Sequence, residues 1–403
     1  MPDGNDLKVP ELAKIMTSDT LARLNCDRDA FDRLAAARQA SDLRADLLRH
    51  YPGLDMRRLD GIGIVGAAGE GARLATLCRE HGIAVFALVD DHAAKIGQAI
   101  ASHTVQPVGS LQQLDRTTPI MIASHRVLGA TERLRALGFQ TVLPFAALQV
   151  LAPDRFPPHM FYDGLLDDLW NSRDRFARLN ERLADARSRQ VLNAVLAFRQ
   201  TLDPVMLKPV LDDDDLYAPK GLIEFSDREV YVDGGSYDGD TIRTFVRRVG
   251  NRFEHVYAFE PDPVTYRVLQ SNFAAEPRVE AIHSGLHREK GVLSFKDDGS
   301  RGAIFSADGT IEMPVTTLDD VVGQGRVSYI KMNIEGAEID ALHGGERLIR
   351  REHPKLALSV YHRPSDLWRI PEIVENFSSG YQLYLRQHDG GIIETVLYAL
   401  HKQ

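Results

Sequence analysis

Four short words in the C-terminal half of this 403-residue sequence hold most of the side chains that could do chemistry. The first is Asp233-Gly234-Gly235-Ser236-Tyr237-Asp238-Gly239-Asp240-Thr241, which follows an apolar run and precedes a helical one, Thr241–Val249. Glycines in such a turn let the backbone bend sharply and approach a ligand, and the helix behind it opens with free N–H groups. Asp233, Asp238 and Asp240 would repel a pyrophosphate, so the turn suits a cationic or hydroxyl-rich ligand. Its candidate cofactor-binding residues are Asp233, Gly235, Ser236, Asp238 and Gly239.

The second word is Phe259-Glu260-Pro261-Asp262-Pro263. Glu260 lies 21 residues after Gly239, at the end of the next apolar run. A carboxylate there can accept both hydroxyls of a ribose, as the downstream acid of dinucleotide sites does. Glu260 and Pro261 therefore join the cofactor candidates, while Asp262 and Pro263 read as the cap and first turn of a helix. The third word is Lys331-Met332-Asn333-Ile334-Glu335-Gly336-Ala337-Glu338. By strand alternation positions 331, 333 and 335 share one face, and three polar groups at the end of a buried strand must be paired or used. The structural reading is a Lys331–Glu335 ion pair; the functional one makes both residues catalytic. In the fourth word, Ser359-Val360-Tyr361-His362-Arg363-Pro364, His362 reads either as a hydrogen-bonded structural imidazole or as a general base. Tyr384, Arg386 and His388 alternate further on, either lining an acceptor or facing solvent.

These words need a scaffold that brings them to one edge. The apolar runs Glu229–Asp233, Val256–Glu260, Val279–Ser284, Ser328–Ile334 and Leu356–Tyr361 predict strands with helices between them. Gln382–Gln387 and Ile392–Tyr398, joined through Asp389-Gly390-Gly391, predict a closing hairpin. The layout is the seven-stranded α/β variant of the doubly wound fold, whose ligands bind at the carboxyl ends of the strands. A second, smaller α/β alternation covers residues 59–150, with strands at Ile62–Val65, Ile83–Val89, Ile120–Ala123 and Thr141–Pro144. Asp163–Gln200 predicts one long polar helix, followed by a solvated acidic loop, Asp212–Asp215. The expected organisation is a helical segment over 1–55, a Rossmann-like domain over 56–150, a helical linker over 151–225 and the large α/β domain over 226–403.

Composition narrows the class. Apolar residues make up 44% and charged residues 26%, and the net charge is −9, so a general nucleic-acid binder is not expected. Two cysteines, Cys26 and Cys78, make no disulfide framework. No run nears the ~20 apolar residues of a membrane helix, and no secretory leader is recognised, so a cytoplasmic protein is expected.

Val232–Thr241, Tyr257-Ala258-Phe259-Glu260-Pro261-Asp262 and Ile330–Glu338, in that order and spacing, resemble the FkbM family of S-adenosylmethionine-dependent methyltransferases. The resemblance spans about residues 215–403 and implies a Class I methyltransferase sheet, S-adenosyl-L-methionine as cofactor, and O-methyl transfer to a sugar or glycan hydroxyl. Family members commonly carry Asp where this chain has Asn333. In the N-terminal half, Val65-Gly66-Ala67-Ala68-Gly69-Glu70-Gly71, Leu88-Val89-Asp90-Asp91 and Pro107-Val108-Gly109-Ser110 resemble the nucleotide-sugar-binding domain of sugar O-acetyltransferases, with Asp90 at a ribose distance from Gly71. The alternative is a Rossmann-like unit used only for packing or dimerisation.

The expected catalytic residues are His362 as first-choice base, Glu335 as second, and Lys331 orienting Glu335 or touching the acceptor. Asn333, Glu335 and Glu338 could instead offer oxygen ligands to Mg²⁺, but no spacing supports zinc and no metal is expected. Expected partners are a small-molecule or glycan acceptor, with no nucleic acid; self-association is left open. Two rival functions stand beside this one: a nicotinamide-dependent sugar-nucleotide enzyme, and a non-catalytic module binding nucleotide sugar and adenosylmethionine.

Overall fold

The computed structural model describes residues 30–296, 304–305 and 311–402. Cys26 and most of the expected N-terminal segment lie outside the described residues. Helices α1 (Ala30–Ala36) and α2 (Ala40–His50) lead into a four-stranded parallel sheet of β1 (Gly61–Val65), β2 (Ala84–Val89), β3 (Ile120–Ile122) and β4 (Val142–Pro144), in the order β2-β1-β3-β4. Strands β1, β3 and β4 are buried throughout, as continuous apolar runs in parallel sheets are.

The C-terminal sheet has seven strands: β5 (Val230–Gly234), β6 (His255–Phe259), β7 (Val279–Ile282), β8 (Tyr329–Met332), β9 (Lys355–Ser359), β10 (Tyr381–Gln387) and β11 (Thr395–His401). Their order is β10-β11-β9-β8-β5-β6-β7, with β11 antiparallel to both neighbours and the other pairings parallel. The expected Class I methyltransferase layout is thus the observed one. Between β7 and β8, where a simple helical crossover was expected, stands a small second sheet containing Gly285–Leu286, Gly291–Lys296, Ile304–Phe305 and Ile311–Thr316. Among the described residues between β7 and β8, the one helix is the short Leu318–Val322.

The expected single helix over 163–200 is three: α3 (Leu165–Asn171), α4 (Arg173–Arg182) and α5 (Ala186–Thr201). The break before α5 has a cause in the sheet. The Ala184 amide donates to the Leu383 carbonyl, and Asp185 then caps α5 by accepting from Ser188 N. The Ser188 hydroxyl in turn accepts the Leu385 amide. The outer strand β10 is therefore covered, which satisfies edge amides that would otherwise invite pairing with another chain. Nor is α5 polar: Val191, Leu192, Val195, Leu196 and Phe198 are buried. They belong to one cluster of buried apolar side chains that includes Ile64 and Leu143 of the N-terminal sheet and Leu356 and Leu397 of the C-terminal one.

The acidic loop is a partly exposed loop, as expected, and it is braced at two points. Asp214 accepts from the Lys220 and Asp215 region, taking the Lys220 amide at 2.7 Å, and Asp215 pairs with Arg248 at 3.2 Å. Arg386 and His388 neither line an acceptor nor face solvent. Arg386 binds Asp185 and Ser188, and His388 sits 2.9 Å from the Tyr398 hydroxyl. No helix among the described residues is long and apolar enough to cross a membrane.

Candidate functional site

The glycine turn joins the end of β5 to helix α6 (Asp240–Arg248). Gly235 (φ +75°) and Gly239 (φ +86°) both need left-handed backbone. They also need the absence of a side chain. A Cβ on Gly235 would lie 2.0 Å from the Asn333 carbonyl oxygen, and one on Gly239 would lie 2.2 Å from the Phe273 ring. These glycines let protein approach protein, pressing the turn against the third word and against the helix behind β6.

Lys331 pins that turn from below. Its buried ammonium donates to Asp233 Oδ1 at 2.9 Å and to the carbonyls of Gly234 and Gly235 at 3.0 and 2.8 Å. Three donors meet three acceptors, so the amine is fully used. The expected Lys331–Glu335 pair is absent, and the expected catalytic role of Lys331 is corrected to a structural one. Asp233 is also spent inward, since its other oxygen accepts from the Thr241 hydroxyl. Ser236 is buried and donates to the Asp233 carbonyl at 2.9 Å. Asp238 is clasped by Arg243, both oxygens at 2.9 Å from Nη2. Asp233 and Ser236 therefore shape the turn from inside, while Asp238, whose side chain is 34% exposed, is braced on its outer side by Arg243.

Glu260, at the carboxyl end of β6, stands where the sequence placed it. It is 8% exposed, and its two oxygens accept one backbone amide each, from Tyr237 and Asp262, both at 2.9 Å. A carboxylate has about four acceptor positions, so capacity for two hydroxyl donors remains. Burial pushes its pKa up to about 7 against the lowering effect of the two amides. Asp262 caps helix α7 (Pro263–Asn272), accepting from Val264 and Thr265, and Pro263 fills the first turn. Pro261 is half-buried beside Gly285 of the small sheet.

On the other side of the rim, Glu335 takes a strained left-handed φ of +54° and leaves its side chain 39% exposed. Glu338 opens helix α8 (Glu338–Gly344) but turns back into the core, accepting from the Ile334 amide at 2.8 Å. His362 is fully buried. Its Nδ1 lies 3.0 Å from Glu338 Oε1, an ion-pair contact without hydrogen-bond alignment, and its Nε2 lies 3.6 Å from Glu335 Oε2. Burial disfavours the imidazolium, but Glu338, and then Glu335, outweigh it and raise the pKa to about 9. The same pairing holds the buried Glu338 carboxyl below its ordinary value despite the cost of burial. At neutral pH His362 therefore carries its proton and is shielded from solvent, which suits a positioning residue and not the expected general base. The accessible carboxylate of the pair is Glu335. Asn333 accepts from the Tyr361 hydroxyl at 3.2 Å, and Glu338 faces inward, so Asn333, Glu335 and Glu338 do not converge as oxygen ligands. Among the described residues no three His, Cys, Asp or Glu side chains gather to hold a metal ion.

Behind His362 lies a buried set that the sequence did not reveal. Asp366 accepts the Arg363 amide at 2.8 Å, and burial and the nearby Glu338 raise its pKa to about 7. Arg199, on α5, is fully buried and donates to the Pro364 carbonyl at 2.7 Å. Burial lowers its pKa to about 10, still charged at neutral pH. Arg199 lies 165 residues from its partner, at a position in a polar-looking helix that gave no sequence signal. Phe161 packs against the rings of Tyr361 and His362, 5.8 and 6.0 Å between centroids.

The glycine turn of the N-terminal sheet is closed on itself. Asp90 does lie at the end of β2, but its carboxylate accepts the Ala67 and His92 amides at 2.8 Å each and pairs with Lys95 at 2.9 Å. A Cβ on Gly71 would lie 1.8 Å from the Gly66 carbonyl oxygen. The acid expected to grip a ribose is thus engaged by two amides of its own loops and by Lys95.

Residues 233–388 match the family model of the methyltransferase FkbM domain. The whole chain is similar to the crystal structure of methyltransferase FkbM from Methylobacillus flagellatus KT, with a TM-score of 0.70 and 26% identity over 92% of this chain and 97% of that one. That similarity extends beyond the matched domain into the N-terminal sheet. Weaker likenesses are to an rRNA methylase from Streptococcus thermophilus (TM-score 0.30, 18% identity, 44% of this chain and 88% of that one). Another is to Aeropyrum pernix fibrillarin, solved with natively bound S-adenosyl-L-methionine (TM-score 0.31, 16% identity, 45% and 71%). No curated protein matches the chain.

Proposed function

We propose that this chain, which carries an FkbM methyltransferase domain over residues 233–388, uses S-adenosyl-L-methionine to methylate a hydroxyl of a sugar or glycan precursor. The observation that carries the reading is Glu260: a nearly buried carboxylate at a strand's carboxyl end, oriented by two backbone amides and with acceptor capacity to spare. A ribose diol fits that capacity. The cofactor has no phosphate, and the acids around the rim provide no cradle for one.

When bound, S-adenosyl-L-methionine supplies a methyl group on a sulfonium, open to in-line displacement. The chain's own residues do the rest. Glu260 accepts the ribose hydroxyls. Lys331 and Asp233 hold the turn from Gly234 to Gly239 rigid, so that its backbone is set before binding. Glu335 takes the acceptor's hydroxyl proton, and the charged His362 behind it, clamped by Glu338, fixes the direction of that carboxylate. Tyr361 and Phe161 cover His362 and keep water from it.

Titration calorimetry with S-adenosylhomocysteine tests the reading. Wild type is expected to bind one equivalent, and Glu260→Ala to bind at least ~10-fold more weakly, since hydrogen bonds to a charged group are worth ~1.5–3 kcal/mol. Equal affinity in the two proteins removes Glu260 from the site, and no binding to wild type removes the reading.

A further inference from the structure

The two sides of the rim differ in charge. The donor side carries Glu260 and the acids of the glycine turn. Beside Glu335, on the other side, stands an arginine that the reading above does not use. Arg363 is exposed, and its guanidinium has no hydrogen-bond or ion-pair partner among the described residues. Its place is nonetheless set. A Cβ on Gly336 would lie 3.5 Å from Arg363 Nε and 3.7 Å from its Cζ, so the guanidinium rests on the backbone of the residue that follows Glu335.

The turn that carries Arg363 is held by two ionisable side chains. The Arg363 amide donates to Asp366 Oδ2 at 2.8 Å, and the next carbonyl, of Pro364, accepts from Arg199 Nη1 at 2.7 Å. Asp366 is 2% exposed and Arg199 fully buried. Burying such groups is costly, and here both are used on one short turn at the head of the helix Asp366–Phe377. Residues 356–364 are buried apart from Arg363, so this support holds a single side chain out at a fixed place. That is the arrangement of a side chain that meets a ligand.

Glu335 does not take Arg363 up. Its carboxylate, 39% exposed, has His362 Nε2 as its close cation at 3.6 Å, and no Glu335–Arg363 ion pair forms. A carboxylate and a guanidinium therefore stand side by side, each open to a third party. Asn333, half-buried on the same segment, gives its Oδ1 to the Tyr361 hydroxyl and leaves its Nδ2 donors without a partner among the described residues. A guanidinium presents paired, planar N–H donors that match the oxygens of a carboxylate or a phosphate. We infer that Arg363 binds an anionic group of the acceptor, a carboxylate or a phosphate monoester, so that a neighbouring hydroxyl of the same sugar reaches Glu335. The acceptor is then an acidic sugar, and Arg363 is the residue that selects it. This rests on the methyl-transfer reading above.

NMR on the full chain made with 15N-labelled arginine tests it through the Arg363 Nε–Hε signal, identified by its absence in Arg363→Gln. The probes are D-glucuronate, D-galacturonate and α-D-glucose 1-phosphate, with D-glucose and inorganic phosphate as controls. At least one acidic sugar is expected to shift the signal saturably, and at lower concentration than inorganic phosphate, while D-glucose leaves it in place. A response to the uronates alone names a carboxylate, and to the ester alone a phosphate. In calorimetry Arg363→Gln should bind the responding sugar at least ~10-fold more weakly, the worth of a hydrogen bond to a charged group. Arg363→Lys, which keeps the charge without the fork, should lie between. The guanidinium has no internal bond, so the Tm of Arg363→Gln should match wild type. The inference is overturned by silence from every acidic sugar, by an equal shift from D-glucose, by inorganic phosphate binding as tightly as the sugar, or by undiminished affinity or a lowered Tm in Arg363→Gln. If S-adenosylhomocysteine fails to bind wild type, the methyl-transfer reading falls and the acceptor role with it, while the Arg363 signal separately decides whether an acidic sugar binds here.

Discussion

Lys331→Met is the perturbation that separates a structural lysine from a catalytic one. In the wild type the ammonium satisfies Asp233 and two carbonyls in a region closed to water. Methionine fills a similar volume and donates nothing. Deleting one partner of a buried ion pair costs ~3–5 kcal/mol, because the other charge is left uncompensated. The stranded carbonyls of Gly234 and Gly235 add to that unless the turn shifts to reach water. A loss of at least ~3 kcal/mol lowers a urea midpoint by roughly 1 M for an m-value near 3 kcal/mol/M. The turn that Lys331 holds is also the one that presents the Tyr237 amide to Glu260, so S-adenosylhomocysteine should bind more weakly in the same variant. Asp233→Asn added to Lys331→Met removes the stranded charge and should recover part of the loss, which a double-mutant cycle reads directly. A Lys331→Met protein within ~0.5 kcal/mol of wild type, the range of an ordinary surface substitution, would refute the reasoning and return Lys331 to the acceptor side.

Three further outcomes follow from the same geometry. Glu260, with a pKa raised to about 7, protonates as pH falls through that value. Only the carboxylate accepts two hydroxyls, so S-adenosylhomocysteine affinity should fall by up to about tenfold per pH unit below 7, and Glu260→Gln should flatten that slope in calorimetry. His362, with a folded pKa of about 9 against an ordinary 6.5, contributes stability that is full below about 6.5 and lost as pH rises through about 9. Its imidazole should titrate near 9 by NMR, and a midpoint near 6.5 would restore it as a general base. Finally, Gly235→Ala meets the Asn333 carbonyl at 2.0 Å from a left-handed backbone, whereas Gly69→Ala, in the first turn of a helix, meets nothing within 4 Å. Thermal melts should show the first strongly destabilised and the second unchanged or more stable.

The sheet was legible because its strands are apolar runs ended by polar words, and each word falls where a strand stops. The Asp262 cap follows from position alone and is observed, and Glu260 lies at the strand end where its position put it. What alternation could not tell was direction at the strand ends. Positions 331, 333 and 335 were placed on one face, but Lys331 reaches back to Asp233 while the left-handed turn at Glu335 sends that residue outward. His362 was correctly placed on the rim, yet its burial and its Glu338 partner depend on how helix α8 turns, which spacing does not encode. The small sheet after β7 was missed because its strands are short. The break at 183–185 was missed because its cause, pairing with Leu383, lies 200 residues away, although Asp185 followed by Ser188 was a readable cap. Arg199 is a similar case: its partner, the Pro364 carbonyl, comes from a tertiary contact alone.

The most direct test of the account is a crystal structure of the full chain grown with S-adenosylhomocysteine. The account predicts the nucleoside at the carboxyl end of the C-terminal sheet, with both ribose hydroxyls on Glu260 and the sulfur facing Glu335. Density for the nucleoside at the N-terminal sheet, or ribose hydroxyls held by any residue other than Glu260, would contradict it.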